Sequence, residues 1–299
     1  MINKFKIIHS VIFILLSFLS IFIYYNSYLL NDNQIQVFLL LIFVSLIGIP
    51  HGFFDFSIGK NIFKNTKKNW IMYFSFSYIF IILAYGSFWY FFPFLSLIFF
   101  LLISLYHFGY EDYNYYKNNK NFLNIQILID GTIIIIAPII FHFNEVSYFF
   151  SILIEKNIDH ISFSYNEKIY FLLFSLFYFI FFKKQNLISK IESGVYFLNF
   201  VVLPPLISFI LYFCLLHSIR HFLESIFVLN HVPKNFSTKS FLILIVASSF
   251  IFSLLSIYLI SNLYNQSLEA LVVKYIFIAL ACLTLPHIIF NLISLKKVV

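Results

Sequence analysis

The chain has 299 residues, of which 62% are hydrophobic and 10% charged, and its formal net charge is +7. Soluble domains carry about 25% charged residues, so this composition excludes an ordinary soluble protein. Long apolar runs with 44 Phe but only 7 Gly and 7 Pro predict uninterrupted helices that cross a lipid bilayer. The basic residues are spread over short loops, which indicates membrane topology and not nucleic-acid binding.

Lysine positions predict the topology. The clusters are Lys4 and Lys6; Lys60, Lys64, Lys67 and Lys68; Lys117 and Lys120; Lys183, Lys184 and Lys190; Lys234 and Lys239; Lys296 and Lys297. Positive loops lie on the cytoplasmic side of a membrane. If every cluster is cytoplasmic, two crossings separate each cluster from the next. The sequence therefore predicts an all-α bundle of about ten helices, with both termini in the cytoplasm.

The predicted helices are, in chain order, 8–30, 35–58, 70–91, 94–114, 122–142, 167–182, 187–203, 205–230, 239–262 and 270–294. The sixth and seventh are short, so eight or nine crossings are the alternative count. Residues 144–166 fit an amphipathic helix on the outer surface. We find no internal repeat and no linker, which predicts one integral-membrane domain, 1–299, in the inner cell membrane. Cys214 and Cys282 lie in apolar runs and are interpreted as packing residues.

Ionisable side chains inside a bilayer are costly and mark candidate functional sites. Four clusters stand out: GIPHGFFDF with His51 and Asp55, YHFGYED with His107 and Glu111, LHSIRHFLES with His217, His221 and Glu224, and LPHIIFN with His287. They fall on the second, fourth, eighth and tenth predicted helices, which all run in the same direction. The topology therefore predicts that the clusters lie at similar depth and converge on one point.

Arg220 is the one arginine beside 18 lysines, and it lies between two histidines of an apolar helix. A guanidinium in that position needs carboxylate partners. The candidates from sequence are Asp55, Glu111, Asp112 and Glu224.

The histidines suggest a metal centre. His217 and His221 are four residues apart, so a helix presents both imidazoles to one metal, and imidazole suits iron, zinc or copper. His51 and His107 would complete a four-histidine site. Nearby carboxylates would accept hydrogen bonds from the outward N–H groups of the ligands. A lone intramembrane histidine is more often a packing residue, but this grouping favours a metal.

Other functions remain open at this point. The main alternative is a transporter with an intramembrane His/Asp/Glu proton relay, although such folds often show repeats or helices broken by Gly and Pro. A membrane desaturase would carry several HxxxH and HxxHH boxes, and only one HxxxH is present. A bis-histidine haem protein would absorb strongly in the visible range.

Together and in this order, the motifs GIPHGFFD, YHFGYED, HSIRH and LPH resemble the Brp/Blh family, the bacteriorhodopsin-related β-carotene 15,15′-dioxygenases. The resemblance covers about residues 45–290. It implies cleavage of β-carotene with O2 at the central double bond, giving two all-trans-retinal molecules for microbial rhodopsins. It also implies Fe2+ held by His51, His107, His217 and His221, with no further catalytic side chain. Around these ligands the prediction places Asp55, Glu111, Arg220, Glu224 and His287. His287 matches the late PH motif of the family, but it is a weaker candidate for a metal ligand than the other four histidines.

Overall fold

The computed structural model describes residues 2–64, 68–115, 124–158, 162–183, 186–224, 238–261 and 267–296. Within these ranges all regular elements are helical, which confirms the predicted all-α class. The eleven helices described are α1 (Ile2–Asn26), α2 (Asn33–Phe63), α3 (Trp70–Phe91), α4 (Pro93–Asn114), α5 (Ile125–Phe141), α6 (Phe143–Ile154), α7 (Tyr165–Phe182), α8 (Leu187–Val202), α9 (Pro205–Leu223), α10 (Thr238–Ser261) and α11 (Leu268–Lys296).

Seven of the described helices are long and apolar enough to cross a membrane, and bent α5–α6 would make an eighth span. This is the character of a multi-pass membrane protein. α8, which corresponds to the short seventh helix predicted from sequence, has only 16 residues. α1 is followed by a turn, and the Asp32 carboxylate then caps α2 by accepting a hydrogen bond of 2.8 Å from the Gln34 N–H.

α5 and α6 meet at a bend of 103° at His142. The predicted fifth helix thus ends where expected, and a separate helix follows it. α6 is shorter than the predicted surface helix at 144–166, because Glu155 adopts a left-handed conformation with φ of 55°. One face of α6 is buried through Val146 and Leu153, so this helix packs into the bundle.

α4 and α5 touch backbone to backbone. A Cβ atom added at Gly109 would lie 2.0 Å from the carbonyl oxygen of Ile127, and one at Gly131 would lie 1.8 Å from that of Leu105. Small residues permit such close approach between membrane helices. This contact fixes the position of the YHFGYED motif.

Two helices change their winding at the histidine motifs. In α2 a π-helical turn, Val44–Gly48, passes into a 3-10 segment, Ile49–Phe54. Pro50 has no N–H to donate, which disfavours regular α-helix at this point. In α9 residues Ile210–Ser218 form a longer π segment. Such π segments in helices are frequent at functional sites, where they turn side chains away from the regular register.

Candidate metal centre

Four histidines from three helices lie together in the interior. The ring centroids of His107 on α4 and His217 on α9 are 4.9 Å apart. His287 on α11 lies 5.3 Å from His107 and 5.1 Å from His221 by the same measure. His107, His217 and His287 are buried. The structure therefore brings three of the four predicted clusters together through their imidazoles.

The spacing of two imidazole nitrogens fits a shared cation. Nε2 of His107 and Nε2 of His217 are 3.3 Å apart. Two nitrogens each about 2.1 Å from one metal are separated by about 3.0 to 3.4 Å at octahedral or tetrahedral angles. Within the described part of the chain, no group of three or more His, Cys, Asp or Glu side chains is arranged so that it could hold a metal ion. The donor set is nevertheless one that binds iron, zinc or copper.

Asp55, which belongs to the remaining cluster GIPHGFFDF, joins this group through His287. Nδ1 of His287 donates a hydrogen bond of 2.7 Å to Oδ1 of Asp55, and the Tyr78 hydroxyl donates one of 2.8 Å to Oδ2. Both carboxylate oxygens are therefore occupied, and Asp55 is buried. The side-chain amide of Asn291 lies 3.2 Å from Nε2 of His287. Both ring nitrogens of His287 thus face polar groups of the protein.

The remaining predicted residues lie on the same helices. His51 belongs to the 3-10 segment of α2, but its side chain is outside the part that the structure describes. Glu111 and Glu224 are half-buried, one turn beyond His107 and close to His221 along their helices. Sequence did not single out Tyr78 or Asn291. Tyr78 is one of 21 tyrosines, and nothing in its neighbourhood marks it.

Arg220 points away from the imidazoles into a buried group of charges. Nη1 donates to Oδ1 of Asp112 at 3.1 Å, and Nη2 donates to Oε2 of Glu192 at 2.7 Å. Asp112 was among the four partners predicted from sequence, whereas Glu192 was not. The Tyr115 ring lies 4.4 Å from the guanidinium carbon, which adds a cation–π contact.

Lys183 completes what we name the buried ion cluster, which consists of Asp112, Asp130, Lys183, Glu192 and Arg220. Nζ of Lys183 lies 2.5 Å from Oδ2 of Asp112 and 3.2 Å from Oδ1 of Asp130. Lys183 follows the end of α7, where the lysine cluster predicted a connection between helices, but it is only 2% exposed and serves as a buried ion partner. A lysine at the end of an apolar run looks the same in sequence whether it lies in a loop or folds back onto carboxylates.

The ion cluster ties the histidine helices to their neighbours. Asp112 lies on α4 five residues after His107, and Arg220 lies on α9 between His217 and His221. Their hydrogen bond therefore links the two helices whose imidazoles approach each other most closely. Glu192 extends the link to α8, and Asp130 extends it to α5.

An apolar cavity of 530 Å3 opens beside the histidines. His107, His287 and Asp55 form one part of its wall. The rest is mainly aromatic and aliphatic, with side chains from α2, α3, α4, α9 and α11. The arrangement places nitrogen ligands at the edge of a space suited to a hydrocarbon substrate.

Comparison with known proteins agrees with this geometry. Residues 42–293 match the family model of β-carotene 15,15′-dioxygenase. The chain is 31% identical over 262 residues to a β-carotene 15,15′-dioxygenase of the uncultured marine bacterium 66A03, covering 82% of this chain and 89% of that protein. No solved structure matches the chain. The chain therefore belongs to the β-carotene 15,15′-dioxygenase family and is an enzyme of that family.

Proposed function

We propose that this protein cleaves β-carotene with O2 at the central 15,15′ double bond, giving two all-trans-retinal molecules that supply a retinal-binding rhodopsin. The observation that carries the proposal is the meeting of four imidazoles beside an apolar cavity whose wall includes two of them, His107 and His287. A proton relay would need neither the apolar space nor two imidazole nitrogens facing each other. Family membership supplies the choice of substrate.

We propose that Fe2+ is the metal and that His51, His107, His217 and His221 hold it. Bound iron would supply the activation of O2, which imidazole ligation permits because it leaves positions open. The 3.3 Å separation of the His107 and His217 Nε2 atoms supports this assignment. His287 is assigned to positioning, since its two ring nitrogens already face Asp55 and Asn291.

The other side chains orient the ligands and shape the substrate site. Asp55 and Tyr78 hold the His287 ring against His107 and His221. Glu111 and Glu224 offset the charge of the metal, and the Arg220–Asp112 link keeps α9 in register with α4. The aromatic wall of the cavity excludes water and presents the central double bond to the metal-facing imidazoles.

A site inside the membrane suits this substrate. β-Carotene dissolves in the bilayer, so a protein with intramembrane histidines reaches it without transfer through water. We assign the protein to the inner cell membrane, as one domain with both termini in the cytoplasm. This orientation rests on the positions of the lysine clusters in the sequence.

The test is expression in bacterial cells that accumulate β-carotene, followed by chromatography of the extracted pigments. The expected result is loss of β-carotene with matching appearance of retinal. His217→Ala and His221→Ala should each abolish cleavage and lower the iron content of the purified protein. His142→Ala is the matched control, because His142 lies at the α5–α6 bend away from the four imidazoles.

Three results would contradict the proposal or part of it. Unchanged β-carotene, with membrane-inserted protein and adequate iron, would exclude this substrate. Full activity of His217→Ala or His221→Ala would remove that histidine from the ligand set. Retention of iron by both variants, with cleavage lost, would assign the two side chains to a different step.

A further inference from the structure

A second cavity adjoins the first. It has a volume of 130 Å3 and lies among side chains of α4, α5, α6, α8, α9 and α11. Four residues line both spaces: Phe108, Phe213, Leu280 and Thr284. The two cavities therefore share a wall made of these side chains, and we name the pair Phe108 and Phe213 the aromatic partition.

The aromatic partition lies directly against the histidines. The Phe108 ring centroid is 5.0 Å from that of His217, and Phe213 stacks on His217 at 5.9 Å with an interplanar angle of 16°. The two phenyl rings are 6.2 Å apart. The imidazoles consequently lie beside the boundary between the two cavities, close to both.

The second cavity suits a hydrocarbon. None of its lining residues is charged, and its polar side chains are hydroxyl groups of serine, threonine and tyrosine. Among them, Ser208 and Thr284 donate to backbone carbonyls of their own helices. A space with such an apolar lining favours apolar ligands over water.

Central cleavage requires equal lengths of substrate on both sides of the reacting bond. A conjugated polyene is stiff, so its two halves extend in opposite directions and cannot both enter the 530 Å3 cavity. The space on the other side of the aromatic partition is the second cavity. Its 130 Å3 is small for half of a carotenoid, so substrate entry must displace the rings of Phe108 and Phe213.

We propose that the second cavity receives the half of the substrate that extends beyond the aromatic partition, here called the far half. The aromatic partition then selects the double bond that is presented to the histidines. This inference rests on the proposed function. It assigns Phe108 and Phe213 as specificity-determining residues. The depth of the second cavity then limits how long the far half of the substrate can be. Narrowing that cavity should exclude long substrates and spare short ones.

Neighbouring residues of α4 offer a matched test. Leu101 lines the second cavity, whereas Leu102 points outward and is 59% exposed. Leu101→Phe and Leu102→Phe are assayed on β-carotene and on β-apo-8′-carotenal, which has one complete half and one shortened half around the same double bond. We expect Leu101→Phe to lower kcat/KM for β-carotene relative to the apocarotenal by about 10-fold or more, and Leu102→Phe to leave the ratio unchanged.

A second variant tests the same cavity from a different helix. Ile135→Phe narrows the same cavity from α5 and is measured in the same way. Equal effects on both substrates in Leu101→Phe and in Ile135→Phe, or no effect in either, would overturn the inference. Failure of the unmodified protein to cleave either substrate would instead overturn the proposed function, so the two failures are distinguishable.

Discussion

His287 and Asp55 are joined by a hydrogen bond of 2.7 Å between residues 232 positions apart in the chain. The bond connects α11 to α2, and the imidazole that donates it also contacts the rings of His107 and His221. One carboxylate thus fixes the orientation of a ring in the middle of the histidine group. Groups that orient metal ligands can affect a metal site nearly as strongly as the ligands do, and in the proposed centre His287, held by Asp55, is such a group.

Asp55→Asn tests this relationship. An amide has one acceptor oxygen where the carboxylate has two, and it carries no charge, so it cannot receive His287 and Tyr78 on separate oxygens and should hold the His287 ring less firmly. We expect activity or metal affinity to fall by about 10- to 100-fold. Retinal formation and bound metal in the purified protein measure the effect. Tyr78→Phe is the matched control, because it removes one donor to Asp55 and leaves the bond to His287, so its effect should be smaller.

Arg220→Leu should destabilise the fold. The change leaves the buried carboxylates of Asp112 and Glu192 without the guanidinium, and removal of one partner of a buried pair costs about 3–5 kcal/mol. Thermal melting of the detergent-solubilised protein measures this loss. The melting temperature of Arg220→Lys should lie between those of the unmodified protein and Arg220→Leu, because an ammonium group keeps the charge but not the planar set of donors of a guanidinium. If Arg220→Leu melts at the same temperature as the unmodified protein, a structural role for Arg220 is excluded.

Substitutions at Lys183 and at Asp130, which form an ion pair, should change the stability of the protein by different amounts. The ion cluster contains three carboxyl groups and two cations, so loss of Lys183 enlarges the charge imbalance and loss of the Asp130 charge reduces it. We expect Lys183→Met to cost about 3 kcal/mol or more, and Asp130→Asn to cost much less. Chemical or thermal unfolding of both variants checks the order. The reverse order would show that Asp130 is required as an anion.

The contact between α4 and α5 should not tolerate a methyl group. In Gly109→Ala and Gly131→Ala the added Cβ would meet a backbone carbonyl that cannot move aside, so we expect a loss of about 3 kcal/mol or more. Gly194→Ala is the matched control, since nothing lies within 4 Å of its added Cβ. That variant should be as stable as the unmodified protein or slightly more stable, because alanine favours a helix. Similar melting of all three variants would contradict the close packing.

Sequence predicted much of the site because intramembrane histidines are rare and a helix fixes their spacing. The lysine clusters gave a common direction to the helices that carry His107, His217 and His287, and these rings do meet. The ligand assignment itself stays a prediction. Sequence did not predict Glu192 as a partner of Arg220, because Glu192 lies near the charged start of a short helix and such a segment resembles a loop.

Other features depend on tertiary contacts that no periodic pattern records. The π segment Ile210–Ser218 leaves the apolar sequence of α9 unchanged, yet it alters which residues face the site. The 103° bend at His142 was not predicted as a change of direction, although a helix end was. Lys183 shows the same limit, since its burial depends on Asp112 and Asp130 from distant parts of the chain.

Phe53 and Phe56 line the larger cavity and are each 46% exposed, so the described residues frame its mouth with aromatic rings at the molecular surface. A substrate that enters there arrives by lateral diffusion within the lipid. The quantity that governs saturation is then moles of carotenoid per mole of lipid, not moles per litre. Adding carotenoid-free lipid to a reconstituted preparation, with enzyme and substrate amounts held constant, should slow turnover by surface dilution alone.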